Sequence, residues 1–197
     1  MERKQLYIDF DGVIMDTIDV TYKLLEEQKI SLQNEKEVEN FYKTIDWKNL
    51  LSITPEINDG FNCIEKIRES NLFDIAILTH VNSLDEAIEK VKFIRKHTID
   101  LTIIPVPKAI SKTKMVHTEG AILIDDYTSN LTEWEASGGI GIRFNRSLNG
   151  KGFKVIDRLD KILEMNLVKQ GLNGSIRKYK KYKNIWYNFW TLNRGNG

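Results

Sequence analysis

The sequence predicts an α/β fold, a Rossmann-like parallel sheet with helices on both faces and a small helical cap insertion. Three observations carry this expectation. Short apolar runs rich in strand formers recur at 5–8, 73–79, 101–104, 121–124 and 140–144. Segments with apolar residues at helical spacing separate the later runs, and continuous apolar strands alternating with helices mark a parallel sheet buried on both faces. The first and second runs, in contrast, lie much further apart than the few residues a strand-to-helix connection takes, and helical pattern fills the interval.

In chain order, Gln5-Leu6-Tyr7-Ile8 is the first strand. Asp16 or Thr17 is placed to cap a helix that carries Val20, Leu24 and Leu25 on one face. A second amphipathic segment sets Val38, Phe41, Tyr42 and Ile45 at helical spacing. After Asp46-Trp47 and a break around Pro55, a third carries Phe61, Ile64 and Ile67. Positions 17–71 thus read as the inserted cap. Strand pattern returns at Phe73-Asp74-Ile75-Ala76-Ile77-Leu78-Thr79, and Ser83-Leu84-Asp85-Glu86 reads as a capping box. The helix it opens is expected to bury Leu84, Ala87, Ile88, Val91 and Ile94. Next come a strand over 101–104 ended by Pro105, a short helix over 112–116 and a strand over 121–124. A helix over 131–136, a strand over 140–144 and a final helix over 155–165, with Ile156, Leu159 and Leu163 inward, complete the expected core. The division expected is a core over 1–165 and a C-terminal extension over 166–197.

At 197 residues the chain is large enough for one domain with an insertion. A hydrophobic fraction of 41% and a charged fraction of 29% are those of a globular protein. No run approaches the length of a membrane span, and Met1-Glu2-Arg3-Lys4 enters a strand with no room for a signal peptide. The lone Cys63 lies on an amphipathic segment and reads as a buried apolar residue. A cytoplasmic location is the simplest expectation. The formal charge of +1 hides an asymmetry, because Lys169, Arg177, Lys178, Lys180, Lys181, Lys183 and Arg194 follow Asn166 with no Asp or Glu among them. The body before them is net acidic.

The chemistry starts at Asp9-Phe10-Asp11-Gly12-Val13-Ile14-Met15-Asp16-Thr17, where the first strand ends. Side chains two apart on an extended chain point the same way, so Asp9 and Asp11 can converge. Gly12 permits a sharp departure of the backbone. Two carboxylates this close need a cation or a shared proton, and an all-oxygen ligand set favours magnesium. An EF-hand calcium loop wants glycine at its sixth position, whereas Gly12 is the fourth residue from Asp9.

This stretch resembles the first motif, DxDGxxxD/T, of the haloacid dehalogenase-like (HAD) hydrolase superfamily. The resemblance implies that Asp9 attacks phosphorus to form an aspartyl-phosphate, and that Asp11 protonates the leaving oxygen and later activates water. A carboxylate with an ordinary pKa of about 4 is ionised at neutral pH and needs no base for this. The strand ending in Thr79 resembles the second motif, whose hydroxyl holds a phosphoryl oxygen. His80 follows it and receives no catalytic role. The third motif is a phosphate-binding lysine, for which Lys108, Lys112 and Lys114 compete; Lys112 is favoured because it starts a short helix. Ala121-Ile122-Leu123-Ile124-Asp125-Asp126 resembles the fourth motif, an apolar strand closed by paired carboxylates. The metal ligands implied are Asp9, Asp11, Asp125 and Asp126. Asn130 reads as a residue of a helix N-terminus.

The resemblance covers residues from about 5 to 145. Its layout is similar to that of 5'(3')-deoxyribonucleotidases and related bacterial or phage phosphatases, implying a small phosphorylated substrate and a nucleoside monophosphate first of all. Trp47, Phe41 or Tyr42 would stack on a base or else pack the cap. The extension departs from that pattern. Ile176, Tyr179, Tyr182, Trp186, Phe189 and Trp190 recur at helical spacing among lysines. Such a helix would bury its aromatic stripe against the acidic body or a second subunit, or bind single-stranded nucleic acid, or lie on a membrane surface. A nucleic-acid-binding protein is therefore the alternative to a phosphohydrolase.

Overall fold

The computed structural model describes residues 3–165 and Leu167, so the expectations for the C-terminal extension lie outside the described residues. Six parallel strands form one sheet in the order β3-β2-β1-β4-β5-β6. They are β1 (Lys4–Ile8), β2 (Phe73–Val81), β3 (Thr102–Pro107), β4 (Ile122–Asp125), β5 (Ile140–Phe144) and β6 (Lys154–Ile156). β1 lies at the centre, Leu6 facing both Ile75 of β2 and Ile122 of β4. From β1 the chain builds outward to one edge and then returns to build the other. The crevice at which an open α/β sheet takes its ligand therefore falls between β1 and β4.

The helices are α1 (Thr17–Glu27), α2 (Glu35–Thr44), α3 (Trp47–Ile53), α4 (Gly60–Glu69), α5 (Leu84–His97) and α6 (Thr128–Ala136). The first four all fall between β1 and β2. α4 packs on β2, and α3 packs on α5. Phe61, Cys63, Ile64 and Ile67 are buried along α4. On the β4 side Trp134 of α6 is fully enclosed; its ring meets that of Tyr7 edge-on at 5.4 Å, and its indole N–H donates to the Ala121 carbonyl at 3.1 Å. The described residues up to Leu163 make one compact unit. No helix among the described residues is long and apolar enough to cross a membrane.

Several elements differ from the sequence expectations. Pro105 does not end β3, which runs on to Pro107 with Pro105 opposite Thr79. β3 is an edge strand, and an edge tolerates proline because one side of its backbone has no ladder to feed. Residues 155–165 are not one helix: β6 takes Lys154–Ile156 and a 3-10 helix takes Leu159–Glu164. Ile156 and Leu159 are buried in either reading, so inward burial did not discriminate the two. The short helix starting at Lys112 is a single 3-10 turn, Lys112–Lys114.

The largest correction concerns α5. Its buried residues are Glu86, Lys90 and Ile94, while Leu84 is 76% and Ile88 42% exposed. The cap itself forms as expected, Ser83 Oγ accepting from the Glu86 N–H at 3.1 Å. The Glu86 carboxylate instead turns inward, taking the Asn82 N–H at 2.7 Å and pairing with Lys90 at 2.6 Å. A pair four residues apart on a helix usually lies in solvent; this one faces the protein.

Candidate active site

The loop after β1 is shaped by its own backbone. The Phe10 carbonyl accepts from the N–H groups of Ile14 and Met15, and the Gly12 N–H donates to the Met15 carbonyl at 2.8 Å. Gly12 takes φ +69°, and a Cβ there would stand 2.5 Å from Asp126 Oδ2. Glycine is needed twice over, for the left-handed turn and for the approach of Asp126. The loop is anchored at its far end, where Ile57 N–H donates to Ile14 O at 2.8 Å and Asp16 N–H to Pro55 O at 3.0 Å.

Asp9 at the end of β1 and Asp125 at the end of β4 meet across the crevice through Lys112. Its ammonium lies 2.9 Å from Asp9 Oδ2 and 2.7 Å from Asp125 Oδ2, and all three side chains are buried. Of the three competing lysines, Lys112 is the one brought to the carboxylates; Lys108 is exposed with its ammonium 5.9 Å from the Tyr127 ring centroid, and Lys114 is exposed. Asp125 Oδ1 accepts from the Tyr127 N–H at 2.8 Å, and Asp125 Oδ2 from Asn130 Nδ2 at 2.9 Å. Asn130 thus serves Asp125 from the first turn of α6, a contact that its place at a helix N-terminus did not suggest.

Asp9, Asp125 and Asp126 each offer a carboxylate oxygen, the three lying within 4.8 Å of one another. Burial pushes Asp9 up; Lys112 opposes this and the neighbouring Asp125, Asp11 and Asp126 add to it, the result being about 8. Asp126 is pushed up to about 7, by burial first and by Asp125 and Asp11 after it. Without a cation, burial and the neighbouring carboxylates disfavour the Asp9 anion, unlike the freely ionised group its ordinary pKa suggests. A hard divalent cation binds through such oxygens and would restore the anion. The donor set fits one.

Asp11 lies outside that group. Its Oδ1 accepts from Thr17 Oγ1 at 2.7 Å, and its Oδ2 from Thr79 Oγ1 at 3.1 Å and from Lys90 Nζ at 2.5 Å. Burial raises this carboxyl, but the Lys90 ammonium and the hydrogen bonds from Lys90, Thr17 and Thr79 outweigh it, and it falls below the usual carboxylate range. Thr79, read as a holder of phosphoryl oxygen, donates here to Asp11. His80 Nε2 is 3.0 Å from the Ile110 carbonyl. The aromatic candidates for base stacking are engaged within the protein: Phe41 and Trp47 are buried, Trp47 donates its indole N–H to the Tyr42 carbonyl at 3.1 Å, and the Tyr42 hydroxyl donates to Thr21 Oγ1.

This architecture recurs among solved structures. A HAD-hydrolase, YfnB, from Bacillus subtilis matches with a TM-score of 0.55 at 14% identity, over 83% of this chain and 98% of that one. The fold is that of the HAD superfamily. A HAD-superfamily hydrolase of subfamily IA from Geobacter sulfurreducens PCA matches with a TM-score of 0.54 at 12% identity, over 83% of this chain and 99% of that one. A HAD-superfamily hydrolase from Ehrlichia chaffeensis matches with a TM-score of 0.50 at 16% identity, over 86% and 98%. The Bacillus structure was determined bound to magnesium. No protein-family model matches the chain, and no curated protein does either. In the HAD-like fold the carboxylate group and Lys112 sit beyond the carboxyl ends of β1 and β4, where the topology opens the crevice.

Proposed function

We propose that this protein is a phosphohydrolase that works through an aspartyl-phosphate on Asp9, with a small phosphomonoester as substrate. The observation that carries the reading is the convergence of Asp9, Asp125 and Asp126 with Lys112 at the crevice of a HAD-like sheet. In the first half-reaction an Asp9 oxygen bonds to phosphorus, the bond to the leaving oxygen breaks, and that oxygen takes a proton from Asp11, whose depressed carboxyl is raised, and so takes that proton up, when the negatively charged phosphate enters beside it. In the second, water attacks phosphorus, Asp11 accepts its proton, and the Asp9–phosphorus bond breaks to release inorganic phosphate. Lys112 neutralises part of the charge gathered on Asp9 and the phosphoryl group, and Thr79 donates its hydroxyl to one Asp11 oxygen while Thr17 donates to the other. Magnesium, held by Asp9, Asp125 and Asp126, would supply Lewis-acid charge to the phosphoryl oxygens.

The layout that resembles nucleotidases makes a nucleoside monophosphate the first substrate to examine, with sugar phosphates beside it. The test is phosphate release from a panel of phosphomonoesters, with magnesium and with EDTA. Magnesium-dependent release from any of them supports the reading. A folded, magnesium-supplemented protein inert towards the whole panel, p-nitrophenyl phosphate included, overturns it.

A further inference from the structure

We propose that Lys90 is a positioning residue for Asp11, held by Glu86 and by Trp47, so that helix α3 of the insertion is tied to the reacting carboxylate. The inference rests on the phosphohydrolase reading for its catalytic meaning, while its geometry stands independently. Lys90 is 1% exposed, and its ammonium lies 2.5 Å from Asp11 Oδ2 and 2.6 Å from Glu86 Oε1. A third acceptor is the His80 carbonyl at 3.1 Å, and Thr79 Oγ1 lies at 3.5 Å. The ammonium also sits 4.9 Å from the Trp47 ring centroid and 5.7 Å from that of Phe10. A cation loses its hydration on burial, and this one recovers it from two carboxylates, a carbonyl and two aromatic faces.

Each contact has a direction. Glu86 is itself fixed by the N–H and the side-chain amide of Asn82, at 2.7 and 3.0 Å. Lys90 is thereby held from behind, with its remaining charge directed at Asp11. Asp11 then has one oxygen on Thr17 and the other on Lys90 and Thr79, which leaves its carboxylate a single orientation. Trp47 opens α3, is 2% exposed, and covers the ammonium from the insertion side. A charged residue this deeply enclosed, four residues after another, is not needed to bury α5, which apolar residues would bury at lower cost.

The decisive variant is the double substitution E86Q/K90M, which removes both charges of the buried pair and keeps side-chain volume, so the helix retains its packing. Its crystal structure is expected to show the Asp11 carboxylate rotated off Thr79. Its kcat should fall at least about ten-fold, a part of the roughly 10²–10⁴-fold that acid–base help supplies, with KM changed less than about three-fold. Introduced into Asp11→Asn, the same pair should cost nothing further, because the group it positions is already disabled. An unrotated Asp11 in the folded double variant overturns the proposal. So does an equal fractional loss of kcat in the Asp11→Asn background. Should wild-type protein hydrolyse no phosphomonoester, the phosphohydrolase reading fails, and the orientation of Asp11 in the variant still decides the role of Lys90.

Discussion

Two clusters of buried charge face each other across the first loop, and they are finished differently. Around Asp125, Asp9 and Asp125 share the ammonium of Lys112, backbone and amide donors serve Asp125, and Asp9 and Asp126 are held well above the ordinary carboxylate range. Around Asp11, two hydroxyls and the ammonium that Lys90 shares with Glu86 close the group, and the Asp11 carboxyl is held below that range. The first cluster is short of positive charge by design of its spacing; the second is completed by the protein's own donors. In the proposed reaction the first would receive a cation and a phosphoryl group, and the second would keep a carboxylate in place.

Removing the proposed nucleophile tests the first cluster most severely. Asp9→Asn replaces the attacking oxygen with an amide that forms no phospho-enzyme, so turnover is expected to fall below detection. Mass spectrometry after rapid acid quench should find phosphate on Asp9 of the wild type alone. Chelation should abolish activity as completely, and restored magnesium should return it.

The same cluster makes a pH prediction. Asp9 at about 8 and Asp126 at about 7 hold protons in the folded chain that the unfolded chain has released. Their stabilisation is full below the ordinary carboxylate range and is lost as pH rises through 7 to 8. Magnesium requires the deprotonated forms, so its effect on Tm should be larger at pH 8 than at pH 6. At a concentration of 100 Kd the stabilisation is about 2.7 kcal/mol. Differential scanning fluorimetry at the two pH values measures it, and a magnesium shift greater at pH 6 contradicts the ligand set.

The second cluster should respond more selectively. Asp11→Asn is expected to lose roughly 10²–10⁴-fold on an alkyl phosphate, whose leaving oxygen needs a proton, and less on p-nitrophenyl phosphate. Equal losses on both remove the proton-transfer role. For stability, Lys90→Met strands Glu86 and Asp11 without their cation and should cost about 3–5 kcal/mol in urea denaturation. The smallest effect belongs to Leu84→Ser: at 76% exposure the side chain contributes little, and the change is expected within about 0.5 kcal/mol. A loss of 2 kcal/mol or more, as roughly expected of a core leucine, would restore the apolar face that periodicity suggested for α5.

That contrast also measures what the sequence made legible. Ile8-Asp9 and Ile124-Asp125 could be read because an acid closing a buried apolar run is costly unless a cation or a donor compensates it, and the sheet followed from such runs. Glu86 and Lys90 could not, since a buried pair at this spacing is written in the same letters as a solvated one. Leu84 and Ile88 then drew the helix face away from its true side. Asn130 carried only a weak signal, an amide five residues after Asp125. β6 was hidden because three residues give too little alternation to outweigh a helical pattern running through Leu159 and Leu163.

The prolines of β3 have a consequence for how copies of this chain meet. Pro105 and Pro107 are two residues apart, so the amide hydrogens they lack would have lain on the same side of the strand. At an edge, that row of hydrogens is the template on which another chain's backbone docks and a sheet grows laterally. Here the row is interrupted twice, while the opposite edge among the described strands, β6, is only three residues long. Edge-to-edge growth of the sheet is thereby disfavoured, at β3 by missing donors and at β6 by the shortness of the strand.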